Sequence, residues 1–142
     1  MAQRRIIDVS VGITEQLPVW PGDPSIQIER TSLIERGAPA NVSRYHLGSH
    51  TGTHLDPPFH FIDGAPTVES LDLSVLIGPA LVVELPDVAQ NVSAADLEAF
   101  QIPAGTERLL LKTRNSMLWA DERHEFDRGF VAVGRSGAEW LV

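Results

Sequence analysis

The string His50-Thr51-Gly52-Thr53-His54-Leu55-Asp56-Pro57-Pro58-Phe59-His60 excludes regular secondary structure for the stretch that holds it. In a helix, His50 and His54 would share a face, but Asp56 would point away and the proline pair would end the helix. In a strand, offsets of 0, 4, 6 and 10 would set His50, His54, Asp56 and His60 on one face. A straight strand would spread them over roughly 33 Å at 3.3 Å per residue, too far to serve one ion. The spacing therefore predicts a curved chain that bends at Gly52 and at Pro57-Pro58. From Gly48 to Pro66 the sequence is dense in Gly, Pro, Thr and His. We expect a long structured loop there, and such loops in compact domains are usually functional.

Four of the five histidines, His46, His50, His54 and His60, fall within fifteen residues. Two imidazoles and a carboxylate form a common three-ligand set for a catalytic zinc or a similar divalent ion, with one coordination position left for water. His60 lies beyond the proline pair and suits a proton-moving role beside the ion. The competing readings are surface histidines, or a polar cluster beside a site rather than in it. The chain has no cysteine. That removes disulfides, thiol nucleophiles and cysteine-held zinc, and leaves His, Asp, Glu and water as the available ligands.

The 142 residues amount to one domain. Lys plus Arg total 11 against 19 Asp plus Glu, a net charge of -8, which disfavours phosphate-mediated binding of nucleic acid. The longest largely apolar stretch without a charge, Leu73 to Val83, is too short to span a bilayer. Arg4-Arg5 is followed by only Ile6-Ile7 before Asp8, too little apolar sequence for a signal peptide, so a cytoplasmic location is expected.

Hydrophobic patterning predicts strands at Arg5 to Val9, Ile26 to Arg30, Val42 to Leu47, Ala80 to Leu85 and Arg108 to Thr113. The Ala80 to Leu85 run is nearly continuous in apolar residues, as in a strand covered on both faces. Arg108 to Thr113 is leucine-rich, which suits a central strand. Pro18, Pro21 and Pro24 around Gly22 predict a stiff loop. Ser93 opens a short helix to Phe100. Ser136 and Glu139 have capping-box spacing before Trp140, Leu141 and Val142, which predicts a helix start. A helix that short does not hold itself together, so the reading is a frayed end or a piece of a longer protein.

The histidine string resembles the signature of the cyclase family of metal-dependent hydrolases, His-x-Gly-Thr-His-x-Asp-x-Pro-x-His. His50, Gly52, Thr53, His54, Asp56, Pro58 and His60 match all seven fixed positions. Val19-Trp20-Pro21-Gly22-Asp23 is similar to the family's N-terminal loop, and Phe61 to Gly64 and Ile77 to Ala80 are also similar to family segments. The resemblance implies an α/β fold of the swivelling β/β/α type with a mixed sheet, and a homodimer or higher homo-oligomer. It implies metal ligation by His50, His54 and Asp56, with Asp56 able to bridge two ions, and acid/base work by His60. Zn2+ is the expected ion, with Mn2+ as the alternative, and the complete family site holds two. Trp20 matches a position that packs on an aromatic substrate, against the alternative of an ordinary half-buried tryptophan.

The family includes bacterial arylformamidases, so the implied reaction is hydrolysis of an amide-type bond in a small molecule, such as N-formylkynurenine to kynurenine and formate. No nucleic-acid or membrane partner is implied. The family's further His and Glu ligands lie beyond the region matched by Ser136 to Leu141, so the chain is similar to the N-terminal part of the fold. His124, among Asp121, Glu122, Arg123 and Glu125, reads as a solvated loop and is not assigned as a replacement. The alternatives are a truncated, non-catalytic or oligomer-forming remnant, or a hydrolase of another carbonyl compound.

Overall fold

The computed structural model describes residues 6–88, 90–119 and 125–142. Arg4, Arg5, Asp121, Glu122, Arg123 and His124 lie outside the described residues. The chain divides into two compact units, Met1–Pro66 with His124–Phe126, and Thr67–Arg123 with Asp127–Val142.

The first unit is built on an antiparallel ribbon of β1 (Gln27–Ser32) and β2 (Val42–His46), with Gln27 opposite His46. Its connection turns through a short 3-10 segment, Ile34–Arg36, closed by Gly37 in the left-handed region at φ 84°. The Asn41 side chain accepts the Ile34 N–H at 2.8 Å, and Ser32 Oγ donates to the Ala40 carbonyl at 2.8 Å. These bonds satisfy backbone groups that the turn removes from the ladder. The expected strand over Arg5 to Val9 is not present over the described residues 6–9. Ile6 is 95% exposed, and a strand without a pairing neighbour gains no ladder to hold it.

The second unit contains β3 (Leu81–Leu85), β4 (Asn91–Val92), α1 (Ala94–Glu98), β5 (Leu109–Thr113), α2 (Asn115–Leu118), β6 (Ala132–Val133) and α3 (Arg135–Leu141). β3 pairs with β5 in parallel, Leu81 opposite Leu109 through Leu85 opposite Thr113. β4 pairs with β6, also in parallel. Parallel pairs need a crossover, and the segment carrying α1 supplies it between β3 and β5. Both strand senses are thus present, in separate two-stranded pairs.

Val83, Leu85, Val92, Leu97 and Val131 form the core, with Leu81, Leu109 and Leu111 packed against it. Period-two alternation explains the choice: Val83 and Leu85 point in while Val82, one residue before Val83, is 57% exposed. The expectation that β3 is covered on both faces is therefore corrected. Its run of apolar residues buries one face only, because α1 and β4 supply packing on one side.

α1 begins as its sequence predicts. Ser93 accepts the Asp96 N–H, and the Asp96 carboxylate accepts the Ser93 N–H at 2.8 Å, a reciprocal capping box. This carboxylate sits below the usual aspartate pKa range, held there mainly by the Ser93 hydroxyl and then by the Ser93 backbone N–H. The capping box expected at Ser136 and Glu139 does not form. The cap of α3 is the extended Gly134, two residues before the expected Ser136, so Ser136 lies inside the helix. The Ser136 hydroxyl instead accepts from the Ala94 N–H at 3.4 Å, and Glu139 pairs with Arg135 at 2.8 Å. Packing decides this. The Gly134 N–H donates to the Val92 carbonyl at 2.9 Å, and Gly137 lies so near that carbonyl that any Cβ would overlap it.

Candidate metal centre

β2 delivers the chain to Leu47, and the loop then folds on itself in short steps. Thr51 is buried, 6% exposed, and its hydroxyl donates to the Gly48 carbonyl at 2.8 Å, closing a turn that contains His50. Gly48 lies against the proline loop, where an added Cβ would sit 3.6 Å from Pro24 Cδ. Gly52 is in the left-handed region at φ 63°, and a Cβ there would sit 3.2 Å from Leu17 Cδ2 and 3.4 Å from Val11 Cγ2. Both the backbone angle and the close approach call for glycine. Thr53 Oγ1 accepts the Val11 N–H at 3.0 Å.

The second bend is also where proline chemistry predicts it. Pro57 is extended and Pro58 opens a 3-10 turn, Pro58–His60. A proline at that position suits the turn, because the N–H it lacks would have no partner there. The His60 N–H donates to the Pro57 carbonyl at 2.9 Å, and the turn carries the imidazole back to 4.1 Å from the His50 ring, centroid to centroid.

The result is a cluster. His50 Nδ1 lies 2.9 Å from Asp56 Oδ1 and 3.3 Å from His54 Nε2, and that Nε2 lies 3.7 Å from the same Asp56 oxygen. His50, Asp56 and His60 also offer ligand atoms that lie within 4.8 Å of one another. The structure thus brings together every residue that the spacing singled out, and it sets His60 close enough to be a fourth donor. His46 remains in β2 opposite Gln27.

His54 has a defined orientation. Its Nδ1 lies 2.9 Å from the Gly52 carbonyl, which can only accept, so this bond puts a proton on Nδ1 and, in the neutral ring, leaves the Nε2 lone pair for a cation. A circle through His50 Nδ1, His54 Nε2 and Asp56 Oδ1 has a radius of about 1.9 Å, so one ion can reach all three at the roughly 2.0–2.2 Å bond lengths that zinc prefers. The donor set and its spacing fit a divalent ion. The two imidazoles are about one-third exposed, His50 at 32% and His54 at 31%, which leaves the cluster open to solvent.

Trp20 is 48% exposed and makes an edge-on contact with Phe126, with ring centroids 5.0 Å apart at 71°. Phe126 was not anticipated from sequence, nor were Val11 and Leu17 beneath Gly52. They lie far from the motif along the chain, and their residue types are ordinary.

An α/β chain with an open imidazole–carboxylate cluster on one bent loop has the donor types and spacing of a divalent-metal site. Residues 7–142 match the Cyclase family, described as "Putative cyclase", and the chain belongs to that family. It is 39% identical over 147 residues to cyclase-like protein 3 of Arabidopsis thaliana, covering 99% of this chain and 54% of that protein. It is 32% identical over 141 residues to a kynurenine formamidase of Erythrobacter litoralis, covering 99% of this chain and 62% of the relative. The chain thus spans a little over half the length of these curated relatives. Among solved structures, "The Structure Of Potential Metal-Dependent Hydrolase With Cyclase Activity" superposes with a TM-score of 0.74 at 32% identity, over 95% of this chain and 61% of the other. A predicted metal-dependent hydrolase from Bacillus stearothermophilus gives 0.71 at 28% identity. These similarities bear out the cyclase-like α/β fold. Among the described residues no helix is long and apolar enough to cross a membrane.

Proposed function

We propose that this protein is a divalent-metal-dependent hydrolase of an amide-type bond, with N-formyl aromatic amines such as N-formylkynurenine as its substrate class. The observation that carries the reading is the trio of donor atoms at 2.9, 3.3 and 3.7 Å from one another on one loop. His50, His54 and Asp56 would hold the ion. When bound, it supplies polarisation of a carbonyl and acidification of water.

The protein's own groups do the remaining work. Asp56 balances positive charge, and the Gly52 carbonyl keeps the His54 ring turned toward the site. His60 stands at the edge of the cluster: it takes a proton from the water whose oxygen forms the new C–O bond at the carbonyl carbon, and passes that proton to the departing amine nitrogen as the C–N bond breaks. The products are formate and the free amine. Trp20, half exposed and braced by Phe126, offers a face for the aromatic ring of the substrate. The kynurenine formamidase relatives support this choice of substrate.

A second reading has its own observation: His60 is near enough to His50 and Asp56 to serve as a ligand in place of a proton carrier. Two variants separate the readings. His54→Ala should lose most bound zinc or manganese by elemental analysis, since too few protein donors remain to compete with water. His60→Ala should keep its metal and lose on the order of 10²–10⁴-fold in turnover of N-formylkynurenine. Unchanged metal in His54→Ala would overturn the ligand assignment. Parallel loss of metal in His60→Ala would make His60 a ligand.

A further inference from the structure

We propose that Thr53 is a positioning residue of the metal centre, acting through the backbone of Val11; this rests on the metal-site reading above. Thr53 stands between Gly52, whose carbonyl fixes the His54 ring, and His54 itself. Its hydroxyl oxygen accepts the Val11 N–H at 3.0 Å, across 42 positions of sequence. One residue earlier, the Gly52 backbone runs so close to the side chains of Leu17 and Val11 that an added Cβ would sit 3.2 and 3.4 Å from them. The loop is therefore pinned to the 11–17 segment at two adjacent points, one polar and one apolar, immediately before a ligand.

These tethers matter because the site has little else to hold it. His54 and Asp56 lie in no helix or strand, and apart from Thr51 every residue from Gly48 to Pro66 is at least partly exposed. Three donor atoms must still meet within a few ångströms. A loop left free would sample other arrangements, and the ion would have to supply the ordering free energy on binding, which weakens affinity. The Thr53 bond removes part of that freedom beforehand. A purely stabilising bond would show in the urea midpoint, whereas this one lies at the exposed surface, where water can replace the hydroxyl when it is lost.

The test compares Thr53→Val, which keeps the shape and cannot accept, with Thr53→Ser, which keeps the hydroxyl. Zn2+ affinity is measured by competition with a chromophoric chelator, and the visible spectrum of the Co2+-loaded protein reports ligand geometry. Thr53→Val should bind Zn2+ about tenfold more weakly, the low end for groups behind a metal ligand, and should shift the Co2+ spectrum. Thr53→Ser should recover the wild-type affinity and spectrum, and the urea midpoint of the metal-free protein should hardly move in either variant.

His54→Ala serves as the control. Thr53→Val with wild-type affinity, beside a weakened His54→Ala, would overturn the positioning role while leaving the site intact. No loss in His54→Ala would overturn the site reading itself. A Thr53→Val protein that fails to fold would be replaced by Thr53→Ala under the same criteria, and failure of both to fold would refute a role confined to positioning.

Discussion

The loop from Gly48 to Pro66 and the β3–α1–β5 segment of the second unit solve opposite problems. In the latter, Val83, Leu85, Val92 and Leu97 are withdrawn from water together with Val131 from farther along the chain, and strand pairing satisfies the backbone groups that β3 and β5 turn toward each other. In the loop only Thr51 is buried, and the backbone is held by single hydrogen bonds, the left-handed glycines Gly52 and Gly64, and a proline-led turn. The loop nonetheless carries the His50, His54, Asp56 and His60 cluster. The difference shows that apolar burial stabilises one segment, while steric restriction and local bonds shape the other and leave its donors within reach of solvent.

The sharpest way to break this contrast is a pair of truncations. Leu97 is fully buried, and Leu97→Ala should cost about 2–5 kcal/mol of unfolding free energy, read from the urea midpoint. His54→Ala should cost about 0.5 kcal/mol or less in the metal-free protein, since its side chain lies at the surface. Comparable losses would mean that the loop is as much a part of the stabilising core as α1.

Gly52→Ala tests whether backbone restriction is what shapes the loop. Forcing a Cβ into the left-handed region costs about 1–2 kcal/mol, and the new atom would also crowd Leu17 Cδ2. We expect a lower urea midpoint together with weaker metal binding, whereas Leu97→Ala acts on the midpoint. A Gly52→Ala protein with unaltered metal affinity would show that this bend does not set the donor geometry.

The smallest effect concerns Asp96. Hydrogen bonds from the Ser93 hydroxyl and backbone hold its carboxyl below the usual aspartate range in the folded chain. A depressed folded-state pKa contributes stability that is present above the unfolded pKa and is lost as pH falls through the folded one. Acid titration followed by NMR should find Asp96 ionised at pH values where an unfolded aspartate is already mostly protonated. Ser93→Ala should move that titration upward. An unmoved titration would show that the capping box does not tune the group.

Much of this architecture is legible in the chain. β1, β2, β3, α1 and β5 fall where alternation, apolar runs and the Ser93 cap predict them, because those signals report local geometry and one-sided burial. The misplaced features share a cause. Ile6 to Val9 has strand-like composition, but a strand exists only against a neighbour. Ser136 and Glu139 have the spacing of a cap, yet the packing of Gly134 and Gly137 on Val92 sets the cap of α3 two residues sooner, at Gly134. Val82 is apolar and still faces outward because no element lies over it among the described residues.

The sequence by itself determined which metal-binding side-chain types fall close together and where the chain must bend to gather them. Even spacing of His50, His54, Asp56 and His60, interrupted by Gly52 and the proline pair, admits neither a helix nor a straight strand, and that is a matter of covalent geometry. Only the tertiary structure decided that His54 offers Nε2 in place of Nδ1, that His60 returns to within reach of His50, and that Val11 and Leu17 underlie Gly52. The reason is physical: dihedral limits act between adjacent residues and can be read in order along the chain. A hydrogen bond across 42 positions, or a van der Waals contact beneath a glycine, depends on where the fold places a distant segment.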